Sequence, residues 1–157
     1  MSKAVFVSLC LLGAKCRYDG RILKDKELIS HFVVSRNILA VCPEVLAGLG
    51  VPRSPVEIMG LAREFFKGQA RIVSREGKDF TSQIKKTCYL ILKMAKSWNI
   101  KEAILKEYSP LCGVEEVYDG TFKNRLKRGE GLLTFLFRES GIKVYSDLSF
   151  RNRGRRI

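Results

Sequence analysis

Three cysteines stand where three apolar, strand-like runs stop. Cys10 follows Ala4-Val5-Phe6-Val7-Ser8-Leu9, Cys42 follows Ile38-Leu39-Ala40-Val41, and Cys112 comes shortly after Ala103-Ile104-Leu105. In an open parallel α/β sheet the carboxyl ends of neighbouring strands line one crevice, so thiols placed there converge although far apart in sequence. Thiolates are soft ligands that suit zinc, copper(I) and iron–sulfur clusters, and three of them leave one coordination position open for chemistry. The same residues admit a plainer reading as ordinary buried cysteines, since free cysteine is among the most buried residue types. No C-x-x-C pair is present, which gives a zinc ribbon or thioredoxin-like centre no support.

Other side chains fall near the same strand ends. Cys16 lies six residues after Cys10, where it is a fourth ligand, a substrate-handling thiol or a bystander. Glu44, two residues past Cys42, is placed to take or deliver protons, or to serve as a helix-start carboxylate favoured by the dipole. Ser109, three residues before Cys112, is placed to orient a water or a substrate carbonyl, or simply begins the Ser109-Pro110 turn. Cys88 falls on the apolar face of a helix and reads as core packing. His31 is the single histidine. It reads as a helix C-terminal cap or surface residue, and its solitude disfavours histidine-based triads and His-rich metal sites. There is no G-x-G-x-x-G and no Walker loop, so a nucleotide cofactor has no support.

The elements that must position these residues alternate. A strand near Ala4–Leu9 leads through a polar loop to a short helix near Lys24–Phe32, then to a strand at Ile38–Cys42. Gly48–Gly60, with Pro52 and Pro55, reads as a long ordered loop. Arg71–Ser74 and the residues after Glu76-Gly77 read as a hairpin, with Asp79 leading to Thr81 as a helix N-cap. In Thr81–Trp98, Ile84, Cys88, Ile91, Leu92 and Ala95 share one helical face. Ala103–Leu105 forms a third strand, followed by a Tyr118-Asp119-Gly120 turn and a basic loop. A helix near Gly131–Ser140 and a strand at Ile142–Tyr145 come last. This order predicts an α/β fold: one Rossmann-like domain, a three-layer sandwich with a mainly parallel sheet. The domain is expected over residues 1–150, with a basic tail over 151–157.

At 157 residues and 46% hydrophobic, the chain is long enough for one core and short for two. Five cysteines without dense spacing predict a reducing, cytoplasmic setting. Met1-Ser2-Lys3 before the apolar Ala4–Ala14 admits a signal-peptide reading, but no small-x-small cleavage site follows and the run suits a buried strand. Nothing approaches a membrane span, so no membrane partner is expected. The net charge of +13 makes a polyanionic partner plausible, with Lys123, Arg125, Lys127, Arg128 and the C-terminal arginines as the basic clusters. A solvated basic surface explains the same residues.

Six stretches, in order and spanning most of the chain, carry a resemblance. They are Val7-Ser8-Leu9-Cys10-Leu11-Leu12-Gly13, Cys16-Arg17-Tyr18-Asp19-Gly20, Cys42-Pro43-Glu44-Val45-Leu46, Pro52-Arg53, Ser109-Pro110-Leu111-Cys112-Gly113 and Tyr118-Asp119-Gly120-Thr121-Phe122. Together they resemble a bacterial and archaeal family, long catalogued only as a domain of unknown function, that includes iron–sulfur-dependent thiouracil desulfidases. The resemblance implies a [4Fe-4S] cluster on Cys10, Cys42 and Cys112, with a [4Fe-5S] form as intermediate. It implies Glu44 and Ser109 as the catalytic pair, and Tyr18, Asp19 and Arg53 as residues shaping the base pocket. The expected reaction is non-redox, hydrolytic removal of sulfur from a 4-thiouracil-type base, giving uracil and sulfide. The expected substrate is a thiolated pyrimidine: free base, nucleotide or 4-thiouridine in tRNA. Family members acting on tRNA make tRNA a candidate partner here. The alternatives are a noncatalytic metal- or cluster-containing RNA-binding protein and, more weakly, a zinc-dependent hydrolase on the same thiolates.

Overall fold

The computed structural model describes residues 3–23, 26–35 and 37–154. Its centre is a four-stranded sheet in the order β2-β1-β5-β8, built from Val5–Ser8 (β1), Ile38–Val41 (β2), Glu102–Leu105 (β5) and Lys143–Ser146 (β8). Every pairing in it is parallel. Side chains alternate across this sheet as the period of two requires. Phe6, Leu39, Val41, Ala103 and Leu105 join one core, while Val5, Val7 and Ile104 join a second on the opposite face. With β1 buried on both faces and β2 and β5 largely so, these three strands read as near-continuous apolar runs rather than alternating ones.

The larger core is closed by Thr81–Ser97 (α4) and Leu132–Glu139 (α5), and Ala62–Phe66 (α3) packs against α5. The face of α4 foreseen from its spacing is the face it buries: Ile84, Cys88, Ile91 and Ala95 are fully enclosed. The smaller core lies under Lys26–Ser35 (α1) and Asp147–Gly154 (α6) through Leu28 and Phe150. This is the three-layer, single-domain α/β arrangement that the sequence predicts.

Three local expectations need correction. The stretch Gly48–Gly60 is not all loop: Val56–Met59 forms β3, because two apolar residues flanking Glu57 find an antiparallel partner in Arg71–Ser74 (β4). On its other side β4 makes the expected hairpin: Val73 bridges Asp79 in antiparallel sense, Ser74 N–H donates to the Lys78 carbonyl (2.9 Å) and Phe80 N–H to the Ile72 carbonyl (3.0 Å). The basic loop after Tyr118 is a hairpin, Glu116–Tyr118 (β6) with Leu126–Arg128 (β7). Thr81 does not cap α4. It is the first helical residue, and Asp79 Oδ1 accepts the Thr81 N–H (2.8 Å) while the Thr81 hydroxyl accepts the Ile72 N–H (3.1 Å).

α6 covers residues 151–154 of the segment read as tail; Arg155, Arg156 and Ile157 lie outside the described residues. So do Met1, Ser2 and Lys24, on which the signal-peptide and helix-start readings fall. Among the described residues no helix is long and apolar enough to cross a membrane.

The sheet order places a topological switch between β1, which connects outward to β2, and β5 on its other side. Ligands in open α/β sheets bind at such a point, outside the strand carboxyl ends. Cys112 reaches it on a loop clamped to the start of α5. Leu132 N–H and Leu133 N–H donate to the carbonyls of Pro110 (3.0 Å) and Leu111 (2.9 Å), and the Thr134 hydroxyl donates to the Cys112 carbonyl (3.1 Å). These bonds occupy N–H groups that a helix start otherwise leaves unpaired. A Cβ on Gly131 would lie 2.5 Å from Leu111 C and 2.8 Å from Cys112 N, both backbone atoms unable to step aside. Gly131→Ala is therefore expected to destabilise the protein by about 2 kcal/mol. A denaturant midpoint equal to that of the unsubstituted protein would show that the clamp is loose.

Candidate active site

A cavity of about 480 Å³ opens at the switch point. Its wall contains Cys10 from the 3₁₀ turn Leu9–Leu12 after β1, Cys42 after β2 and Cys112 from the clamped loop, together with Cys16, Glu44 and Ser109. Three strand ends thus bring the three expected thiols to one place. The Cys16 thiol bears on those of both Cys10 and Cys42, and Cys42 Sγ donates to the Cys16 carbonyl (3.7 Å). Contact with Cys10 pushes the Cys16 thiol up to about 11, and contact with Cys16 followed by burial pushes Cys42 well above the usual thiol range. Burial pushes Cys112 up to about 12, opposed by the hydroxyls of Ser8 and Ser109. Burial thus favours the protonated thiol at Cys42 and Cys112, and a metal must displace those protons to bind.

Among the described residues, no three His, Cys, Asp or Glu side chains gather tightly enough to hold one metal ion in common. Four thiols nevertheless line one cavity wall, with Cys16 against both Cys10 and Cys42. The donor chemistry is soft sulfur, which fits iron–sulfur chemistry.

Glu44 lies in the first turn of Pro43–Leu46 (α2), 9% exposed. Arg53 Nε donates to its Oε2 at 2.7 Å, and Arg53 Nη1 donates to the Gly50 carbonyl (2.8 Å). Such a short charge-assisted bond fixes the carboxylate's orientation. Among the described residues Oε1 of Glu44 has no partner, and it is not sealed off from solvent. Both readings of Glu44 therefore meet in one residue, a helix-start carboxylate with an oxygen open to the cavity. Ser109 Oγ accepts the N–H groups of Leu111 (3.2 Å) and Cys112 (3.1 Å), which is the turn reading, and its hydroxyl bears on the Cys112 thiol at the cavity wall.

Tyr18 lines the mouth and is 44% exposed, with the Arg17 guanidinium 6.0 Å from its ring centre. Asp19 does not line the cavity. It grips Arg17 (3.3 Å) and the Arg21 N–H (3.0 Å); burial raises its carboxyl, and these partners outweigh that and hold it below the usual range. Its place is thus behind Arg17, which does line the cavity. Cys88 is enclosed in the core, and His31 is exposed on α1 with its ring 5.0 Å from that of Phe150.

Sequence reasoning missed Glu57, Arg75, Lys106 and Glu107, which also line the cavity. Lys106 and Glu107 directly follow β5, so the strand-end rule that found the cysteines would have nominated them. Glu57 carried a fainter signal, one carboxylate inside the apolar Val56–Met59. One oxygen of Glu107, 4% exposed, accepts from Val114 (2.7 Å) and Glu115 (3.0 Å), which ties the end of β5 to the loop beyond Cys112.

The profile of the 2-thiouracil desulfurase family matches residues 5–148. The chain belongs to this family. Within the 2-thiouracil desulfurase family's range fall all three strand-end cysteines, Glu44 and Ser109. A relative from Bacillus subtilis (strain 168), the uncharacterized protein YbbK, is 36% identical over 144 residues, covering 91% of this chain and 95% of its own. A solved structure described as the [4Fe-4S]-dependent thiouracil desulfidase TudS superposes with a TM-score of 0.82 at 36% identity. That match covers 96% of this chain and 94% of TudS.

Proposed function

We propose that this protein is a [4Fe-4S]-dependent desulfidase that converts a thiouracil base and water into uracil and hydrogen sulfide without net redox change. The observation that carries the reading is the meeting of Cys10, Cys42 and Cys112, from three separate strand ends, on one cavity wall beside Glu44. The description of TudS as [4Fe-4S]-dependent supports the choice of cluster. Cys10, Cys42 and Cys112 are the proposed ligands; Cys16 stands against two of them as a spare thiol. When bound, the cluster supplies an iron without a protein ligand, a Lewis acid with affinity for soft sulfur.

The chain's own residues supply the rest. The open Oε1 of Glu44 takes a proton from the attacking water, while Arg53 holds the carboxylate still through Oε2. Ser109, pinned by two backbone N–H groups, offers its hydroxyl proton to the substrate or the water. Tyr18 gives the ring an aromatic surface at the mouth, and Asp19 keeps Arg17 in place beside it. Water adds to the thiolated carbon, the C–S bond breaks, and both water protons end on the departing sulfide.

Arg17, Arg75 and Lys106 line the cavity, and Lys123 and Arg125 are exposed at the tip of the β6–β7 hairpin, whose Asn124 lines it too. This basic rim favours substrates that carry phosphate, from a nucleotide to 4-thiouridine in tRNA. A side-by-side assay of sulfide release from 2-thiouracil, 4-thiouracil, 4-thio-UMP and thiolated tRNA tests the reading in cluster-loaded protein. Release from any of them is expected, with the phosphorylated substrates favoured at low salt and losing that advantage as salt is raised. No sulfide from any of the four rejects a desulfidase. In that case tight, salt-sensitive RNA binding would favour the noncatalytic reading that the charge of +13 also supports.

A further inference from the structure

Glu57 is a carboxylate with no place in the chemistry above, yet it lines the same cavity and is only 6% exposed. Its Oε1 is fully engaged: Gly120 N–H (2.9 Å) and Phe122 N–H (3.2 Å) both donate to it. Those donors belong to the turn that leads out of β6, where Phe122 has a left-handed backbone (φ 58°). Two fixed N–H groups on one oxygen leave the side chain little freedom to rotate. Among the described residues Oε2 has no partner, and no buried side-chain oxygen lacks one, so Oε2 is reached by solvent. A carboxylate enclosed to this degree, held still and turned with one oxygen unpaired toward a substrate cavity, is a preorganised acceptor awaiting a donor.

Resting on the desulfidase reading, we infer that Glu57 is a positioning residue that accepts the ring N3–H of the thiouracil and so selects uracil-type over cytosine-type rings. A carboxylate only accepts, so the ligand must bring an N–H or O–H. Among the donors of these substrates, N3–H is the one shared by free base, nucleoside and nucleotide, because N1 carries the sugar in the latter two. N3 is also bonded to both C2 and C4. A contact there therefore orients the carbon–sulfur bond whichever of the two positions carries sulfur. In cytosine, N3 is a lone pair that faces the carboxylate repulsively, which gives rejection as well as attraction.

The test uses cluster-loaded protein and the unreactive bases uracil and cytosine, with binding measured by calorimetry beside sulfide release from thiouracil. The wild type is expected to prefer uracil over cytosine by about 10- to 100-fold, the range for a hydrogen bond to a charged group. In Glu57→Gln the amide oxygen keeps the Gly120 and Phe122 bonds and the amide NH₂ faces the cavity. Uracil binding is then expected to weaken about tenfold or more, cytosine binding to strengthen, and KM for thiouracil to rise. A uracil-to-cytosine ratio unchanged by Glu57→Gln, with sulfide still released, overturns the assignment and leaves the desulfidase intact. A loss seen with uridine but absent with uracil overturns it too, since the contact would then be to the sugar. Independently of any variant's folding, 3-methyluracil is expected to bind the wild type far more weakly than uracil, and equal binding refutes the contact. Wild type that binds neither base and releases no sulfide refutes the desulfidase and this assignment together.

Discussion

Glu44→Gln is expected to lower sulfide release by about 10²- to 10⁴-fold, the usual contribution of a positioned acid–base group. The amide has the shape of the carboxylate and its oxygen still accepts the Arg53 N–H, so fold and cluster content should survive. What is lost is the open oxygen that takes the water's proton. Glu44→Ala is a poorer test: it strands the Arg53 guanidinium in a wall where its side chain is 7% exposed, and an unpaired buried charge is strongly destabilising. If Glu44→Gln retains full turnover with its iron complement intact, Glu44 is only the helix-start carboxylate that its position in α2 also makes it.

The second large effect concerns the thiols. Cys42→Ser, like Cys10→Ser and Cys112→Ser, is expected to reduce iron retention and sulfide release by at least about 100-fold, because loss of an outer-shell partner alone commonly costs 10–100-fold. Cys42 is the most informative of the three, since its Sγ also meets the Cys16 carbonyl and thiol. Cys16→Ser is expected to keep its iron, which separates a neighbour from a ligand. Cys88→Ser serves as the contrast. That thiol is fully enclosed on α4, and burial pushes it up to about 12, so its replacement should lower stability and leave iron content per folded chain unchanged. If iron falls with Cys16→Ser and not with Cys112→Ser, the ligand set is reassigned.

Much of the sheet was legible because β1, β2 and β5 are buried or half-buried on both faces and leave near-continuous apolar runs. The strand-end cysteines followed from that, since topology alone carries the ends of β1, β2 and β5 to one edge. The small antiparallel pieces were harder. β3 hides between prolines and glycines, and its two-residue apolar signal becomes a strand only when β4 arrives from twelve or more residues on. β6 and β7 are three residues each, too short for a period to show. The cavity's second wall was hidden for the same reason, because Glu57 and Tyr118 sit on those pieces. The Glu44–Arg53 pair was half visible: both residues stood in recognisable stretches, and their 2.7 Å contact depends on how the intervening loop folds back.

We propose above all that three strand-end thiols hold a [4Fe-4S] cluster that removes sulfur hydrolytically. Its most direct test is to reconstitute the wild type anaerobically, count iron, and follow uracil and sulfide from thiouracil with no reductant or oxidant added. About four irons per chain and equal amounts of uracil and sulfide over many turnovers are the predicted result. A protein that takes up zinc but no iron, or an iron-loaded one that turns over only with an added reductant, would contradict it.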